Sequence, residues 1–265
     1  MSAILVTGGT GALGSRLVPR LMAKGHHVRV LSRREKPKLP EGARAVRGDL
    51  VSGEGVDDAV GGAAVIVHCA TGAADSGIRG LGYKATYRTD VAPTKTVLDV
   101  AKRRGSPRIV YPSIVGVDRI PLGYYRGKLD CERAIQASGL PHTILRSTQW
   151  HTLGWEFGRR FARGPVVFVP KGVRSQLLDP DEVADRIVSL VDEGYDGTAP
   201  DMGGPVALDF GDIVRGYLRA TGKRRPVVGV PVPGKAMAGF RAGHNLTLDH
   251  ADGKVTWEQW LARNA

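Results

Sequence analysis

The chain has 265 residues, of which 42% are hydrophobic and 24% charged, which suits one large globular domain or one domain with a small annex. No apolar run approaches the ~20 residues of a membrane span, and a short apolar run followed at once by glycines is not typical of a signal peptide. We therefore expect a cytoplasmic protein without a membrane partner, and either a monomer or a homodimer.

The formal net charge is +12 and the pI is about 10. Basic residues are interspersed with acidic ones, and the clusters at 103–104 and 223–225 fall where helices are predicted to end, a place where the helix dipole favours cations. This distribution argues against a nucleic-acid partner, and an anionic cofactor accounts for part of the charge. Cys69 and Cys131 are predicted to be free thiols of a reducing compartment.

The first elements are a buried strand at 4–6 and a helix at 12–24, in which Leu13, Leu17 and Leu21 recur every four residues. Strands and helices then alternate along the chain. The further strands are predicted at 28–31, 43–46, 64–67, 109–111 and 142–145, and the further helices at 56–60, 90–104 and 122–138. This alternation requires right-handed crossovers and predicts an α/β fold, a doubly wound parallel-sheet Rossmann fold with a small C-terminal cap region.

The pattern weakens after residue 150, where prolines and glycines become frequent. Helices are predicted at 182–191, 212–221, 234–242 and 256–262, and one more strand at 227–230. We therefore assign residues 1–150 to an NAD(P)-binding Rossmann domain. Residues 151–265 are assigned to a smaller substrate-binding cap, interleaved with the last Rossmann elements.

A glycine-rich loop lies between the first strand and the first helix. Gly8 would permit the tight turn, Gly11 would let the backbone approach a pyrophosphate, and Gly14 would let the helix pack close to the strand. The N-terminus of the helix would present free N–H groups to the anion. The residues of this loop predicted to bind the dinucleotide are Gly8, Thr10, Gly11, Ala12, Leu13 and Gly14.

The second strand ends in Ser32, Arg33 and Arg34, whereas an NAD site usually has an acid there to bind the ribose 2′-hydroxyl. Guanidinium groups match a phosphate in charge and geometry. The cofactor is therefore predicted to be NADP(H), with all three residues in contact with it. The alternative is a solvated basic loop.

Two further strand ends are predicted to contact the cofactor. After the third strand, Asp49 would accept a hydrogen bond from the adenine and Leu50 would form an apolar wall. After the fourth strand comes a turn of small residues, of which Cys69, Ala70 and Thr71 would lie beside the cofactor. His68 is not expected to bind a metal, because no second ligand stands at a suitable spacing.

These motifs resemble the extended and atypical short-chain dehydrogenase/reductases, in particular the NmrA-like and isoflavone-reductase-like branch. The resemblance covers most of the first ~190 residues and implies a Rossmann fold. That branch holds both reductases and cofactor sensors without catalysis. The matching stretches are ILVTGGTGALG, VRVLSRR, RGDL, RIVYPSIVGVD, YYRGKLDCERAIQASGLPHTILRSTQWH and LLDPDEVAD.

Tyr124 and Lys128 have a Y-x-x-x-K spacing, which places them on one helix face, where the lysine would lower the tyrosine pKa toward the working range. The tyrosine could then give a proton to a carbonyl oxygen held by Ser113. In the resembled family a Ser–Tyr–Lys set does this, which implies catalytic roles for Ser113, Tyr124 and Lys128. The Ser-to-Tyr interval is slightly short, and Tyr125 could be the acid instead. Alternatively, Tyr124 packs under the cap and Lys128 binds only the cofactor ribose.

After the sixth strand, Ser147 stands where the resembled family commonly has a proline. Thr148 is predicted to contact the cofactor, and Gln149 the nicotinamide or the substrate. The aromatic residues Trp150, Trp155 and Phe157 would line an apolar substrate pocket unless they are simple core, and His151 is a candidate proton relay.

The function predicted is an NADPH-dependent oxidoreductase that transfers hydride to a small-molecule substrate, an apolar carbonyl, quinone or related electrophile. The alternative is an NADP(H)-sensing, NmrA-like regulatory protein without catalysis. A third possibility is isomerisation or epimerisation through transient oxidation.

Overall fold

The structure is a computed structural model that describes residues 1–72 and 82–265. Its strands are, in chain order, β1 (Ala3–Thr7), β2 (His27–Ser32), β3 (Arg44–Arg47), β4 (Val65–His68), β5 (Arg108–Ile114), β6 (His142–Ser147), β7 (Val167–Pro170), β8 (Arg174–Gln176), β9 (Gly197–Thr198), β10 (Ala207–Asp209) and β11 (Val227–Val230).

The α-helices of the described ranges are α1 (Gly14–Ala23), α2 (Val56–Val60), α3 (Tyr83–Thr86), α4 (Ala92–Arg103), α5 (Gly123–Gln136), α6 (His151–Phe161), α7 (Pro180–Glu193), α8 (Phe210–Ala220), α9 (Lys235–Arg241) and α10 (Trp257–Asn264). A π-helical turn, Tyr87–Val91, joins α3 to α4, and a 3₁₀ turn covers Leu248–His250. No helix within 1–72 or 82–265 is long and apolar enough to cross a membrane.

The chain forms two units that interleave in sequence. The first comprises Met1–Ser113, Leu122–Leu145 and Ala184–Ala199, and the second comprises Ile114–Pro121, Arg146–Val183 and Pro200–Ala265. The assignment of substrate binding to residues 151–265 stays a prediction.

Seven strands form one parallel sheet in the order β3-β2-β1-β4-β5-β6-β9, which confirms the predicted Rossmann fold. The order reverses between β1 and β4. Thr7 at the end of β1 pairs in register with Leu31 of β2 and with His68 of β4. The carboxyl ends of these three strands are therefore level, and ligands of open α/β sheets bind at such a reversal point.

The core of the first unit lies between the sheet and the helices α2, α4 and α5. Residues such as Leu5, Ile66 and Ile109 from the strands and Val97 and Ile135 from the helices are almost completely buried there. Leu17 and Leu21 of α1 are completely buried as well. The apolar periodicity read from the sequence therefore marks the faces that the helices bury.

The helix predicted at 90–104 begins earlier than expected. Helical structure starts at Tyr83, widens into the π turn Tyr87–Val91 and continues as α4. Pro93 has no N–H to donate to the preceding turn. The missing backbone hydrogen bond accounts for the π-helical hydrogen-bonding pattern just before it. The prediction treated Pro93 as a first-turn residue and so missed the earlier segment.

The second unit contains a helix, α6, that the sequence did not predict. Gly154 and Gly158 weaken its helical pattern, but both are needed for packing: a Cβ at Gly158 would strike the Tyr217 ring of α8, and one at Gly154 would lie 2.8 Å from the Leu177 side chain. The strand predicted at 227–230 is β11, which pairs in parallel with β7, and β8 pairs antiparallel with β10.

Candidate active site

The loop between β1 and α1 lies at the reversal point of the sheet, and glycines stand where its backbone packs closely. Gly8 has a φ of +67°, and a Cβ there would lie 2.7 Å from the Ala70 backbone nitrogen. A Cβ at Gly14 would overlap the Gly8 carbonyl oxygen. The loop is therefore packed, backbone against backbone, between the ends of β1 and β4 and the start of α1.

The first turn of α1 is available to an anion. The N-cap residue Leu13 makes no side-chain capping hydrogen bond, and Thr10, Gly11 and Ala12 are exposed in front of the helix. The Gly11 N–H donates to the Gly8 carbonyl at 2.9 Å, which closes the turn. Leu13 is 4% exposed and belongs to the core, so only its backbone is available to a ligand.

The end of β2 offers two free cations. Ser32 is buried, and its hydroxyl accepts the Arg34 N–H at 3.1 Å, which fixes the bend after the strand. The side chains of Arg33 and Arg34 are exposed, and neither has a partner within the described part of the chain. Their guanidinium groups are therefore unoccupied donors beside the loop.

The turn after β3 is held by a hydrogen bond within the turn itself. The Asp49 carboxylate accepts the Val51 N–H at 2.8 Å, and Leu50 packs partly against the core of the first unit. The predicted contacts of both residues with adenine stay predictions.

His68, at the end of β4, lies in a chain of hydrogen bonds. Its Nδ1 is 2.7 Å from Thr7 Oγ1, and its Nε2 is 3.0 Å from Thr94 Oγ1. The Thr94 hydroxyl donates to the Asp90 carbonyl at 2.7 Å, so it accepts from Nε2–H, and Thr7 donates to Nδ1. Burial, with a smaller contribution from the Lys128 ammonium, lowers the pKa of His68 to about 4 against the opposing Asp90 carboxylate.

His68 is thus a neutral residue held by its two threonine partners. No group of side chains suited to hold a metal ion is found among the described residues. Both cysteines are free, as expected. Burial raises the pKa of Cys69 to about 12, and the Lys128 ammonium opposes that rise, so Cys69 is a protonated thiol.

Lys128 is a buried cation, only 6% exposed. Its Nζ donates to the Pro112 carbonyl of β5 at 3.0 Å and lies 4.2 Å from the centre of the Tyr111 ring. Its charge acts on both His68 and Cys69 at the end of β4. The ammonium group therefore lies at the carboxyl ends of β4 and β5, where the turn after β4 also touches the glycine-rich loop.

Ser113 follows Pro112 on β5 and is 4% exposed. Its Oγ is buried and has no hydrogen-bond partner in residues 1–72 and 82–265. A buried hydroxyl without a partner is costly, and it fits a position that a bound molecule completes.

Tyr124, on the first turn of α5, is partly buried and meets the Tyr125 ring edge to face at 6.3 Å. Burial raises the pKa of Tyr124, the Asp90 carboxylate raises it further, and a hydrogen bond with Thr71 opposes the rise. The expectation that Lys128 brings this pKa toward the working range is not met, because burial dominates the shift. Tyr125 is 5% exposed.

Asp90 is a site residue that the sequence did not reveal. Its carboxylate lies on the π turn, is 2% exposed, and accepts hydrogen bonds from Thr71 Oγ1 at 2.6 Å, Gly72 N at 3.0 Å and Thr89 Oγ1 at 2.7 Å. It thereby fixes the turn after β4. The one signal was an acid directly before the inward-facing Val91, in a stretch predicted to be helical.

The residues after β6 belong to the second unit. Thr148 is 2% exposed and hydrogen-bonded to both Met202 and Gly204. His151 is completely buried, with its ring stacked 5.8 Å from the rings of both Trp257 and Trp260. The role of His151 as a proton relay gains no support from this position.

Trp155 and Phe157 pack against the core of the second unit, which favours the simple-core alternative over an apolar substrate pocket. The predicted contact of Thr148 with the cofactor stays a prediction.

Replacing Gly14 by Ala tests the backbone packing of the loop. The Cβ must displace the Gly8 carbonyl, so we expect Gly14→Ala to lower the free energy of unfolding by about 1–3 kcal/mol and to weaken NADPH binding roughly tenfold or more. Urea denaturation and calorimetric titration measure the two effects. Gly61→Ala is the matched control, because a Cβ there meets only ordinary contacts at 3.5 Å. Equal NADPH affinity of Gly14→Ala and the wild type would contradict the packing argument.

The lowered pKa of His68 predicts acid sensitivity. The unfolded state has an ordinary pKa near 6.5, so the neutral ring contributes its full stability above pH 6.5 and loses it as the pH falls toward 4. We expect this group to remove about 3 kcal/mol of unfolding free energy over that interval. His68→Gln should show a shallower loss by urea denaturation between these pH values. His151, whose pKa burial also lowers to about 4, is present in both proteins and cancels in the comparison. An identical pH dependence of the two proteins would refute the assignment.

The chain matches the NAD(P)H-binding family over residues 8–192. It is 32% identical to a (4-alkanoyl-5-oxo-2,5-dihydrofuran-3-yl)methyl phosphate reductase of Streptomyces griseus, over 83% of this chain and 74% of that protein. It is also 28% identical to pinoresinol reductase 2 of Arabidopsis thaliana, over 68% of this chain and 62% of the relative. The chain thus spans less than two thirds of the length of several curated relatives, pinoresinol reductase 2 among them.

Among solved structures, an NADPH-dependent quinone oxidoreductase of Escherichia coli, complexed with NADPH, has a similar fold. The TM-score is 0.79 at 15% identity, with 98% of this chain and 99% of that chain covered. This likeness shows the fold, and the family match extends over more than half of the sequence. The chain therefore belongs to the NAD(P)H-binding family, and its resemblance to the extended short-chain dehydrogenase/reductases is confirmed.

Proposed function

We propose that this protein is an NADPH-dependent oxidoreductase that reduces a small apolar carbonyl, quinone or related electrophile. The observation that carries the proposal is the buried Lys128 ammonium bonded to the Pro112 carbonyl, next in sequence to the Ser113 hydroxyl, which has no partner among the described residues; both lie in the same unit as the glycine-rich loop. The similar proteins include two reductases and a quinone oxidoreductase, which supports this reaction class and these substrates.

The described residues fit the cofactor. The exposed residues Thr10, Gly11 and Ala12, in front of the N-terminus of α1, would receive a pyrophosphate. The exposed, unpartnered Arg33 and Arg34 fit a 2′-phosphate at the end of β2, which favours NADPH over NADH.

Bound NADPH would supply the hydride to the carbon of the substrate carbonyl. Ser113 Oγ would donate a hydrogen bond to the carbonyl oxygen and so position it. Tyr124, which burial and Asp90 keep protonated, would give its proton to that oxygen, and Lys128 would bind the cofactor ribose. Thr71 and Asp90 would hold the Tyr124 hydroxyl in place, and the proton would be replaced from water.

A second candidate function is an NADP(H) sensor without catalysis. The specific observation in its favour is the raised pKa of Tyr124, which makes the phenol a weak acid in the absence of bound molecules. The buried Lys128 would then serve only to bind the cofactor ribose. The cytoplasmic location and the monomeric or dimeric state stay predictions under both functions.

Replacing Tyr124 by Phe separates the two functions. Oxidation of NADPH would be followed by its absorbance with quinones, aldehydes and ketones as substrates. We expect Tyr124→Phe to reduce kcat by about 10²-fold or more while NADPH affinity is unchanged, because only the proton donor is lost.

Tyr125→Phe is the matched control and should retain activity, since it removes the neighbouring hydroxyl. A Tyr124→Phe variant as active as the wild type, or an inactive Tyr125→Phe variant, would sink the assignment of Tyr124. Tight NADPH binding without turnover of any substrate would favour the sensor.

Removing both Arg33 and Arg34 tests the cofactor preference. We expect the double variant Arg33→Ala, Arg34→Ala to weaken NADPH binding by roughly 10- to 100-fold and NADH binding little, because only NADPH has the 2′-phosphate. Calorimetric titration of both cofactors measures this. The double variant Lys102→Ala, Arg103→Ala, at the exposed end of α4, is the control for a general loss of charge. An equal loss of affinity for both cofactors is the result that contradicts the proposal.

A further inference from the structure

The C-terminal end of α8 and the loop after it form a groove that none of the functions above uses. Its volume is about 490 Å³. Five cationic side chains line it, from Arg215, Arg219, Lys223, Arg224 and Arg225. All five residues are exposed and lie in the second unit.

Little negative charge balances this groove. Arg215 pairs with Asp212 at 2.8 Å, and Lys223 lies 5.4 Å from the centre of the Tyr217 ring. The guanidinium groups of Arg219, Arg224 and Arg225 have no partner in the part of the chain that the structure describes. Several like charges therefore face one space without compensation, and an anion placed there gains from all of them.

The end of a helix does not account for so many cations. The C-terminal dipole is equivalent to about half an elementary charge and acts within the last turn. In α8 that turn holds Arg219, and the dipole is too small to offset five positive charges. The backbone that carries the cluster is ordered: Lys223 N donates to the Leu218 carbonyl at 2.9 Å, and the Pro226 carbonyl accepts from Val167 N at 2.9 Å.

We propose that this groove is a binding site for a small polyanion that carries two or more linked phosphate groups. A guanidinium group can donate two parallel hydrogen bonds to the oxygens of one phosphate. Several cations around one space therefore match a ligand with linked phosphates better than a single phosphate. The buried Leu218 and the exposed Pro226 add apolar surface to the groove beside the cations.

The site belongs to the second unit, whereas the glycine-rich loop, Arg33 and Arg34 belong to the first. The proposal therefore does not rest on the proposed function. Because NADPH also carries phosphates, the test must distinguish the groove from the cofactor cradle.

The experiment is calorimetric titration of the full chain with inorganic tripolyphosphate, with and without saturating NADPH. We expect binding in both conditions, weakened by salt. We expect the double variant Arg219→Ala, Arg225→Ala to weaken it roughly tenfold or more, since two charge-assisted contacts are lost. Both side chains are exposed, and circular dichroism checks that the variant is folded. The variant Lys102→Ala, Arg103→Ala removes the same charge from another helix end and should bind as the wild type does.

The proposal would be overturned if tripolyphosphate did not bind, or if the groove variant bound it as tightly as the wild type. An equal loss of affinity in the control variant would also overturn it. So would a loss of tripolyphosphate binding when NADPH is present or when Arg33 and Arg34 are removed. A parallel titration uses single-stranded oligonucleotides of increasing length. Tighter binding with length would replace the small polyanion by a nucleic acid and would also overturn it.

Discussion

The site depends on one constraint, the close approach of backbones where β1, β4 and α1 meet. Gly8 faces the backbone of Cys69 and Ala70, and Gly14 faces the Gly8 carbonyl, with no space for a Cβ at either position. The first turn of α1 can therefore begin directly behind the loop, with its uncapped N–H groups at the reversal point of the sheet. Side chains at these positions would move the helix away and would remove the anion cradle.

Two buried charges lie at the same end of the sheet, and each is satisfied by its own partners. Lys128 is bonded to the Pro112 carbonyl, and Asp90 accepts three hydrogen bonds from the turn after β4 and from Thr89. Burial is the main cause of both pKa shifts nearby. Lys128 lowers the pKa of His68 further, whereas Asp90 raises the pKa of His68 and that of Tyr124. Proton positions are thus set by burial and by this pair together, which is how sites of acid–base chemistry are commonly arranged.

The elements of the first unit could be predicted because their signals are local. Apolar runs of both-face-buried strands, the four-residue spacing of Leu13, Leu17 and Leu21, and a glycine after each helix depend only on neighbours in the chain. The second unit was harder for a physical reason. Gly154 and Gly158 of α6 are poor helix formers, and they stand there because Leu177 and Tyr217 leave no room for larger residues. These contacts join residues that are far apart in the sequence, so the local sequence pattern does not reveal them.

The sequence by itself determined the glycine-rich loop, the acid-free end of β2 and the family, because glycine spacing and residue type at strand ends are local features of the chain. The tertiary structure decided the protonation of Tyr124, the place of Asp90 and the burial of His151 against Trp257 and Trp260. A pKa depends on desolvation and on charges brought close by folding. The spacing of Tyr124 and Lys128 placed them on one helix face, but only the folded chain showed that the Pro112 carbonyl holds the ammonium group.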